Sequence, residues 1–281
     1  MRIFISKLIN HVLHPSKFFY KFRNIYYYFR YKLNYNDTFY TNNQNKIFKS
    51  LKINRHLGLK KLNNIKNDYF THSPMNSEHQ VLFASLSLRK KIKNILEIGT
   101  FDGTNAYQLS ILFPKAKITT LDLPAKSEEF KKSYDRSESI KRKNFIKKRN
   151  IILNKSHNIR FVEKNSLNLI FEKKKYDLVW VDGAHANPVV TSDIINSLRL
   201  LSKTGYMACD DIYVRKSTED INFNTFDPKF ANQMFSNLDA YKTLLSLKAA
   251  KLIEFKLIYK RIDANNSIPG RQKFIAIVKK Y

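Results

Sequence analysis

The sequence predicts an α/β fold with a doubly wound, mostly parallel sheet of seven strands. Short apolar runs alternate along the chain with segments whose apolar residues recur at helical spacing. This alternation is typical of a parallel sheet covered by helices on both faces. Two strand-like runs close the chain, Leu252–Ile262 and Phe274–Lys280, and the loop between them is too short for a crossover helix. We therefore expect these last two strands to form an antiparallel hairpin.

The first strand and the turn after it lie in the stretch Asn94–Thr104. Its apolar run stops at Gly99, Gly103 follows, and a helical segment begins. A glycine turn between a buried strand and a helix lets a ligand approach the backbone at the helix N-terminus. The nicotinamide fingerprint needs glycine at its first, third and sixth positions, and here the third and sixth are Phe101 and Thr104. The stretch therefore favours a nucleoside cofactor and disfavours a nicotinamide oxidoreductase.

The remaining elements follow in order along the chain. Four more strands are expected at Ile118–Leu121, Ile159–Val162, Leu178–Val181 and Tyr206–Cys209. One helix is expected to begin at the capping-box sequence Ser77-x-x-Gln80, and another after Gly103. A third is expected from about Pro188 to Leu201, with Gly205 just past its end, and a fourth from Met234 to Ala250. The polar stretch from Val214 to about Phe230 is expected to form a loop over the site.

Residues 1–72 are expected to form a basic, aromatic-rich helical extension and a polar connector, and residues 73–281 the main domain. An apolar stripe with helical spacing, edged by lysine and arginine, runs through Phe18, Phe22, Ile25 and Phe29. Such a stripe is typical of a helix at an anionic membrane surface, contacted here through residues 1–40. It is also typical of a helix that packs on the domain or on a second subunit, as in a homo-oligomer. The sequence leaves both alternatives open.

The composition limits the class of protein and of partner. The chain has 281 residues, a net charge of +28 and a single cysteine, Cys209, which is expected to be buried in its apolar strand. The charge implies attraction to nucleic acid, anionic lipid or an acidic substrate. An intrachain disulfide is excluded, and no apolar run is long enough for a signal peptide or a transmembrane helix. We therefore expect a cytoplasmic protein, peripheral at the inner membrane face if the extension binds lipid.

Two polar sites at strand ends suit a nucleoside. Asp122 ends the second strand, where a carboxylate can accept hydrogen bonds from both ribose hydroxyls. Asn165 and Ser166 follow the third strand, where they could hydrogen-bond an adenine ring. The structural alternatives are a helix cap for Asp122 and ordinary turn chemistry for Asn165.

Three carboxylates follow the fourth and fifth strands. Asp182 ends the fourth strand, and Asp210 and Asp211 end the fifth. Like charges on neighbouring strand ends repel unless they are protonated or bind a cation, and oxygen ligands favour Mg²⁺. The sequence therefore predicts a magnesium site; the alternative is that Asp211 caps the next segment and Asp182 faces water.

His185 lies three residues after Asp182 and is a candidate general base, because a neutral imidazole can take a proton from a hydroxyl. The alternative is an inert, exposed histidine. Glu97 and Asp102 frame the glycine turn. Either could face the amino group of a bound cofactor, and Glu97 could instead bond the amides of the loop.

These residues resemble the class I S-adenosylmethionine-dependent methyltransferases, specifically the divalent-metal-dependent O-methyltransferases typified by the catechol and macrocin enzymes. The resemblance spans about residues 77–281 and implies a Rossmann-like sheet and S-adenosylmethionine with Mg²⁺ as cofactors. It implies that the loop with Glu97, Gly99, Thr100, Asp102 and Gly103 holds the methionine half of the cofactor and that Asp122 holds the ribose. It also implies that Asp182, Asp210 and Asp211 bind Mg²⁺ while His185 acts as base.

The chain departs from that family at two points. Asn165 replaces the acid that binds adenine, and the aromatic walls of the catechol enzymes have no counterpart. The expected acceptor is a hydroxyl of a small molecule, glycan or glycolipid, because a sugar or glycolipid suits a basic protein with a membrane-binding extension. Two rival functions remain: an RNA-directed methyltransferase, and a non-catalytic methyltransferase-like module on an anionic membrane. Amino-directed nucleic-acid enzymes place Asn/Asp-Pro-Pro-aromatic after the fourth strand, whereas this chain has Asp182-Gly-Ala-His185.

Overall fold

A computed structural model shows the predicted α/β fold, with a single seven-stranded sheet in the order β3-β2-β1-β4-β5-β7-β6. The structure describes residues 35–70, 77–89, 91–133, 136–214, 238–263 and 272–281, together with residues 25, 26, 29, 30 and 33. Strands β1 to β5 are parallel, and β7 pairs antiparallel with both β5 and β6. The predicted antiparallel hairpin is therefore confirmed, with β7 inserted between β5 and β6.

The elements have the following bounds. The strands are β1 (Asn94–Ile98), β2 (Lys117–Asp122), β3 (Ile159–Glu163), β4 (Tyr176–Val181), β5 (Leu201–Ile212), β6 (Ile253–Tyr259) and β7 (Phe274–Lys280). The helices are α1 (Asp37–Ser50), α2 (Arg55–Asn63), α3 (His79–Arg89), α4 (Thr104–Leu112), α5 (Glu128–Lys132), α6 (Ser139–Leu153), α7 (Val189–Leu200) and α8 (Asp239–Ala249), with a 3₁₀ helix at Ser166–Phe171.

The centre of the sheet is apolar on both faces, because helices cover both. Along β1, Ile95 faces one core together with Phe83 and Trp180, and Leu96 faces the other together with Ile194. All five of these side chains are at most 1% exposed. Alternate residues of a strand point to opposite faces, so a continuous apolar run is what a strand buried on both sides requires.

The segment predicted as a polar connector, residues 41–72, instead contains most of α1 and all of α2. Phe48 of α1 is fully buried in the core. Gln44 is also fully buried, and its side-chain amide bonds both the backbone N–H and the carbonyl of Tyr259 at the end of β6. The segment is polar in composition because most of its side chains face solvent, which hides the few that reach the core.

Two predicted helix boundaries differ from those in the structure. Helix α7 ends at Leu200 and β5 begins at once at Leu201, so Gly205 lies inside the strand instead of capping the helix. Helix α3 begins at His79, and the hydroxyl of Ser77 is buried without a hydrogen-bond partner among the described residues. The predicted capping box is therefore not formed.

The N-terminal stripe is described only in part. Ile25 and Phe29 are helical and about half exposed (51% and 56%), and Leu33 is 83% exposed. Phe18, Phe22 and most of the loop predicted at 214–230 lie outside the described residues. Within the described part of the chain, no helix is both long and apolar enough to cross a membrane.

Candidate active site

The sequence-predicted site residues lie at the carboxyl ends of the parallel strands, in two groups. We call Glu97, Thr100, Thr120 and Asp122, with the turn 99–103, the glycine-loop cluster. We call Asp182, His185, Asp210, Asp211, Lys260 and Lys273 the lysine–aspartate cluster. The two groups adjoin, because the Asp182 N–H donates to the carbonyl of Ile98 (2.9 Å), one residue before the turn. In a doubly wound sheet this edge is where ligands bind.

The two glycines of the turn are required by backbone geometry and close packing. Gly99 has φ +98° and Gly103 has φ +83°, values that residues other than glycine rarely adopt. A Cβ on Gly99 would lie 2.1 Å from the carbonyl oxygen of Asp182, and one on Gly103 would lie 2.9 Å from Leu153 of α6. Their role in this structure is therefore to bring the loop against β4 and α6, a reason that the glycine spacing alone did not reveal.

Glu97 is a buried residue whose hydrogen bonds hold the side chains next to this loop. It is 0% exposed, and its carboxylate accepts hydrogen bonds from the Thr120 hydroxyl (2.5 Å) and from the Asn105 side-chain amide (2.6 Å). The Thr100 hydroxyl lies 2.6 Å from that of Thr120, so Thr100 donates to Thr120 whenever Thr120 donates to the carboxylate. Burial outweighs these hydrogen bonds and raises the pKa of Glu97 to about 7. Glu97 thus bonds side chains, not the loop amides suggested by its position.

Asp122 joins the end of β2 to the glycine turn. Its carboxylate accepts from the N–H of Phe101 (3.0 Å) and from the N–H of Leu123 (2.8 Å). Burial raises its pKa above the ordinary value, although these two hydrogen bonds oppose the shift. Asp102 has a local role, since it accepts from the N–H of Thr104 at the start of α4 (2.9 Å).

Asn165 performs the turn chemistry that was the alternative to adenine binding. Its side-chain oxygen accepts from the N–H of Leu167 (3.0 Å) and caps the 3₁₀ helix that Ser166 opens. Both residues lie at the same edge of the sheet as Asp122, because β3 pairs with β2 and Asp122 lies opposite Glu163. Their contact with an adenine ring stays a prediction.

A bulge at the end of β5 turns two consecutive carboxylates to the same side. The register between β5 and β7 shifts between Cys209 and Ile212, and Asp211 has φ +50°. Consecutive strand residues normally point to opposite faces. Here both Asp210 and Asp211 instead reach the ammonium group of Lys260, each at 2.5 Å. The Cys209 thiol before them is buried, which confirms its predicted packing role.

Two lysines therefore bind the acid pair, Asp210 and Asp211. Lys273 binds the second oxygen of Asp211 (2.9 Å), while Lys260 bridges Asp210 and Asp211. Burial alone would raise the pKa of Asp211, but the two ammonium groups outweigh it and lower the pKa below the ordinary value. In the same way, burial would lower the pKa of Lys260, but the two carboxylates raise it. Both partners are charged at neutral pH.

This arrangement does not fit the predicted magnesium site. Mg²⁺ needs oxygen ligands in near-octahedral geometry, and two of its three proposed carboxylates already bind ammonium groups. Among residues 35–70, 77–89, 91–133, 136–214, 238–263 and 272–281, the structure shows no group of three or more histidine, cysteine or acidic side chains placed to hold a metal. The acids converge as the sequence predicted, but their counter-charge comes from the protein.

Asp182 and His185 lie on the open side of this cluster. The Nε2 atom of His185 is 3.9 Å from a carboxylate oxygen of Asp182, and both side chains are partly exposed. Burial and the charge of Asp210 raise the pKa of Asp182 well above its ordinary value. Burial lowers the pKa of His185 in spite of Asp211 and Asp210, so its imidazole is neutral at pH 7 and can accept a proton.

The two lysines were missed by sequence reasoning. Lys260 directly follows β6 and Lys273 directly precedes β7, and the N–H of Lys260 donates to the carbonyl of Lys273 (2.9 Å). They are 50 and 62 residues from the acids that they bind. The available sequence signal was a lysine on each side of the loop that joins the two predicted strands. It indicates a contact with the acids only once β7 is known to pair with β5.

Comparisons with known proteins agree with this geometry. The family described as "Methyltransferase domain" matches residues 96–212, from within β1 to the end of β5. No curated protein matches the sequence. A Staphylococcus aureus protein assigned as a caffeoyl-CoA O-methyltransferase superimposes with a TM-score of 0.51 at 15% identity, over 84% of this chain and 91% of that chain. The SAH-bound methyltransferase PaMTH1 of Podospora anserina gives a TM-score of 0.50 at 16% identity, over 80% and 86%.

The matched segment contains the glycine turn, Asp122, Asp182 and the acid pair of β5, all at the ligand-binding edge of one sheet. Its strand order, with β7 inserted antiparallel between β5 and β6, extends the same fold to the C-terminus. Residues 96–212 therefore match a methyltransferase-domain family, and the chain has the fold of the two methyltransferase structures.

Proposed function

We propose that this protein is an S-adenosylmethionine-dependent O-methyltransferase that acts on a hydroxyl of a small molecule or a glycan. One observation carries the proposal: a neutral His185 and an adjacent Asp182 lie beside a charged acid–lysine group, at the sheet edge that also holds the glycine turn of a methyltransferase domain. A base and a fixed positive charge near one point are what deprotonation and attack by a hydroxyl require.

The glycine-loop cluster holds the methyl donor. Asp122 accepts hydrogen bonds from the ribose hydroxyls, because its carboxylate already lies at the end of β2 within reach of the turn. The backbone of Gly99, Thr100 and Gly103 lines the path of the methionine portion, and Asp102 holds the N–H of Thr104 at the start of α4. Glu97 positions this loop through Thr120 and Asn105, and Asn165 and Ser166 flank the adenine.

The lysine–aspartate cluster holds and activates the acceptor. His185 takes the hydroxyl proton on Nε2, and Asp182 orients the imidazole from 3.9 Å and stabilises the imidazolium that forms. When bound, S-adenosylmethionine supplies a sulfonium methyl group: the acceptor oxygen forms the new C–O bond as the C–S bond breaks and leaves its electron pair on sulfur. No step passes through Mg²⁺, which would first have to displace Lys260 from both aspartates.

Calorimetry and methyl transfer test this function together. Purified protein and methyl-labelled S-adenosylmethionine are incubated with phenols, sugar nucleotides, glycolipids and RNA, and cofactor binding is measured separately by titration calorimetry. Label on a hydroxylated small molecule or glycan supports the proposal. Label on RNA alone, with steep salt dependence, would replace it with the RNA-directed alternative. Failure to bind S-adenosylmethionine in calorimetry, with vesicle binding retained, would support the non-catalytic module.

We also propose that the N-terminal extension contacts an anionic membrane surface. The supporting observation is that Ile25, Phe29 and Leu33, three helical residues spaced four apart, are all at least half exposed in a chain of net charge +28. Full-length protein should sediment with vesicles that contain an anionic lipid, and a variant without residues 1–34 should not. Equal sedimentation of the two proteins would leave the packing alternative.

A further inference from the structure

The ammonium group of Lys260 lies where the family resemblance places a divalent cation. It contacts the carboxylates of both Asp210 and Asp211 at 2.5 Å, and only 12% of its side chain is exposed. An ammonium group has three N–H donors, and these two contacts use two of them. Among the described residues, one N–H therefore remains for a ligand on the open side, where Asp182 and His185 lie.

The charges of the acid pair balance without a metal ion. The two carboxylates of Asp210 and Asp211 face the two ammonium groups of Lys260 and Lys273. Two ammonium groups carry the same total charge as one Mg²⁺. Their chain positions hold them in place, because the backbone of Lys260 pairs with that of Lys273 and both side chains bind Asp211.

We propose that Lys260, held by Asp210 and Asp211 and supported by Lys273, replaces the divalent cation of the acceptor site. Its remaining N–H donates to the acceptor oxygen and stabilises the negative charge that develops there as His185 removes the proton. Methyl transfer is then independent of divalent metal. This inference rests on the proposed function, but its test uses metal binding and does not require the acceptor to be known.

The test measures Mn²⁺ binding to the full chain by electron paramagnetic resonance. In the wild-type protein the acid pair binds ammonium groups, so Mn²⁺ should bind no more tightly than to general surface carboxylates. The Lys260→Met variant removes one ammonium group from between two carboxylates. We expect its Mn²⁺ affinity to rise by roughly tenfold or more, because one repelling charge is lost at contact distance.

The control variant is Lys256→Met, which changes an exposed lysine of β6, four residues before Lys260. It should bind Mn²⁺ like the wild type. Circular dichroism and a melting curve establish that each variant is folded, and Lys260→Gln provides a second, polar replacement if Lys260→Met does not fold. Both Lys260 variants should gain Mn²⁺ binding.

Two results would overturn the inference. One is micromolar Mn²⁺ binding by the wild type that Asp210→Asn abolishes, since the acid pair would then prefer metal to lysine. The other is unchanged, weak Mn²⁺ binding in both folded Lys260 variants. Neither result affects the cofactor half of the site: failure to bind S-adenosylmethionine in calorimetry would instead contradict the proposed function. Once an acceptor is known, turnover should resist EDTA in the wild type and fall in Lys260→Met.

Discussion

The glycine-loop cluster and the lysine–aspartate cluster lie side by side but handle negative charge in opposite ways. In the glycine-loop cluster, the buried carboxyl of Glu97 has no ammonium partner in the described structure and is held by a hydroxyl and an amide. Its pKa is raised to about 7. In the lysine–aspartate cluster, two lysines bind the carboxylate of Asp211 and its pKa is lowered.

The difference suits two different ligands. A site for a sulfonium cofactor gains from carboxyl groups that are not already neutralised by lysine, since the ligand itself brings positive charge. A site where a hydroxyl loses its proton gains from fixed cations, because negative charge develops there. Each cluster can therefore be changed separately, and the two should respond in different measurements.

The largest expected effect comes from His185→Gln. The side chain keeps its polarity but can no longer accept a proton, so kcat should fall by about 10²- to 10⁴-fold. The dissociation constant for S-adenosylmethionine should not change, because Asp122 and the glycine turn are intact. Steady-state kinetics with an identified acceptor measure kcat, and titration calorimetry measures the dissociation constant. A kcat within twofold of the wild type would show that His185 is not the base.

Asp122→Asn should affect the other cluster. The amide oxygen can still accept from the N–H of Phe101, but the charge that strengthens hydrogen bonds to ribose is lost. We expect the dissociation constant for S-adenosylmethionine to rise by about 10- to 100-fold, measured by calorimetry, since a charged hydrogen bond contributes about 1.5–3 kcal/mol. Glu128→Gln, an exposed carboxylate six residues later, is the matched control and should leave binding unchanged.

The smallest effect concerns the pH dependence of stability. The pKa of Glu97 is about 7 in the folded protein, above its ordinary 4.5, so the folded state binds more protons than the unfolded state between these values. Stability must then fall as pH rises through this window, by about 2 kcal/mol from this group between pH 5 and 7. Glu97→Gln should remove that contribution in urea titrations of the cofactor-free protein.

The wild type and Glu97→Gln must be compared at each pH, because other groups titrate in the same range. Burial of the His79 imidazole lowers its pKa to about 4, so it contributes a slope of the opposite sign. Taking the difference between the two proteins cancels His79. Parallel stability curves for the two proteins would contradict the raised pKa of Glu97.

The two clusters also differ in how well the sequence predicts them. The glycine turn and Asp122 belong to one β1-α4-β2 unit, so their separation along the chain determines where they lie relative to each other. Lys260 and Lys273 join the site only because β7 inserts between β5 and β6, and pairing over 50 residues leaves no local pattern. The acids were therefore found and their cations were not, which made a metal ion the obvious counter-charge.

Helices α1 and α2 were missed for a different reason. Their buried residues are few, such as Phe48 and Leu62, and one of the fully buried contacts is polar, through Gln44. Apolar periodicity detects helices that contribute a full stripe to a core, so a helix that contributes one or two side chains resembles a connector. By contrast, β1 is buried on both faces, and its apolar run ends before Gly99 as predicted.

Calorimetric titration of S-adenosylmethionine into the wild-type protein, in EDTA, tests the central claim most directly. We expect saturable binding at one site per chain, weakened in Asp122→Asn and unchanged in His185→Gln and Lys260→Met. This result would assign the donor to the glycine-loop cluster and leave the lysine–aspartate cluster to the acceptor. Absence of binding by the folded wild type, or equal binding by Asp122→Asn, would contradict that division of the site.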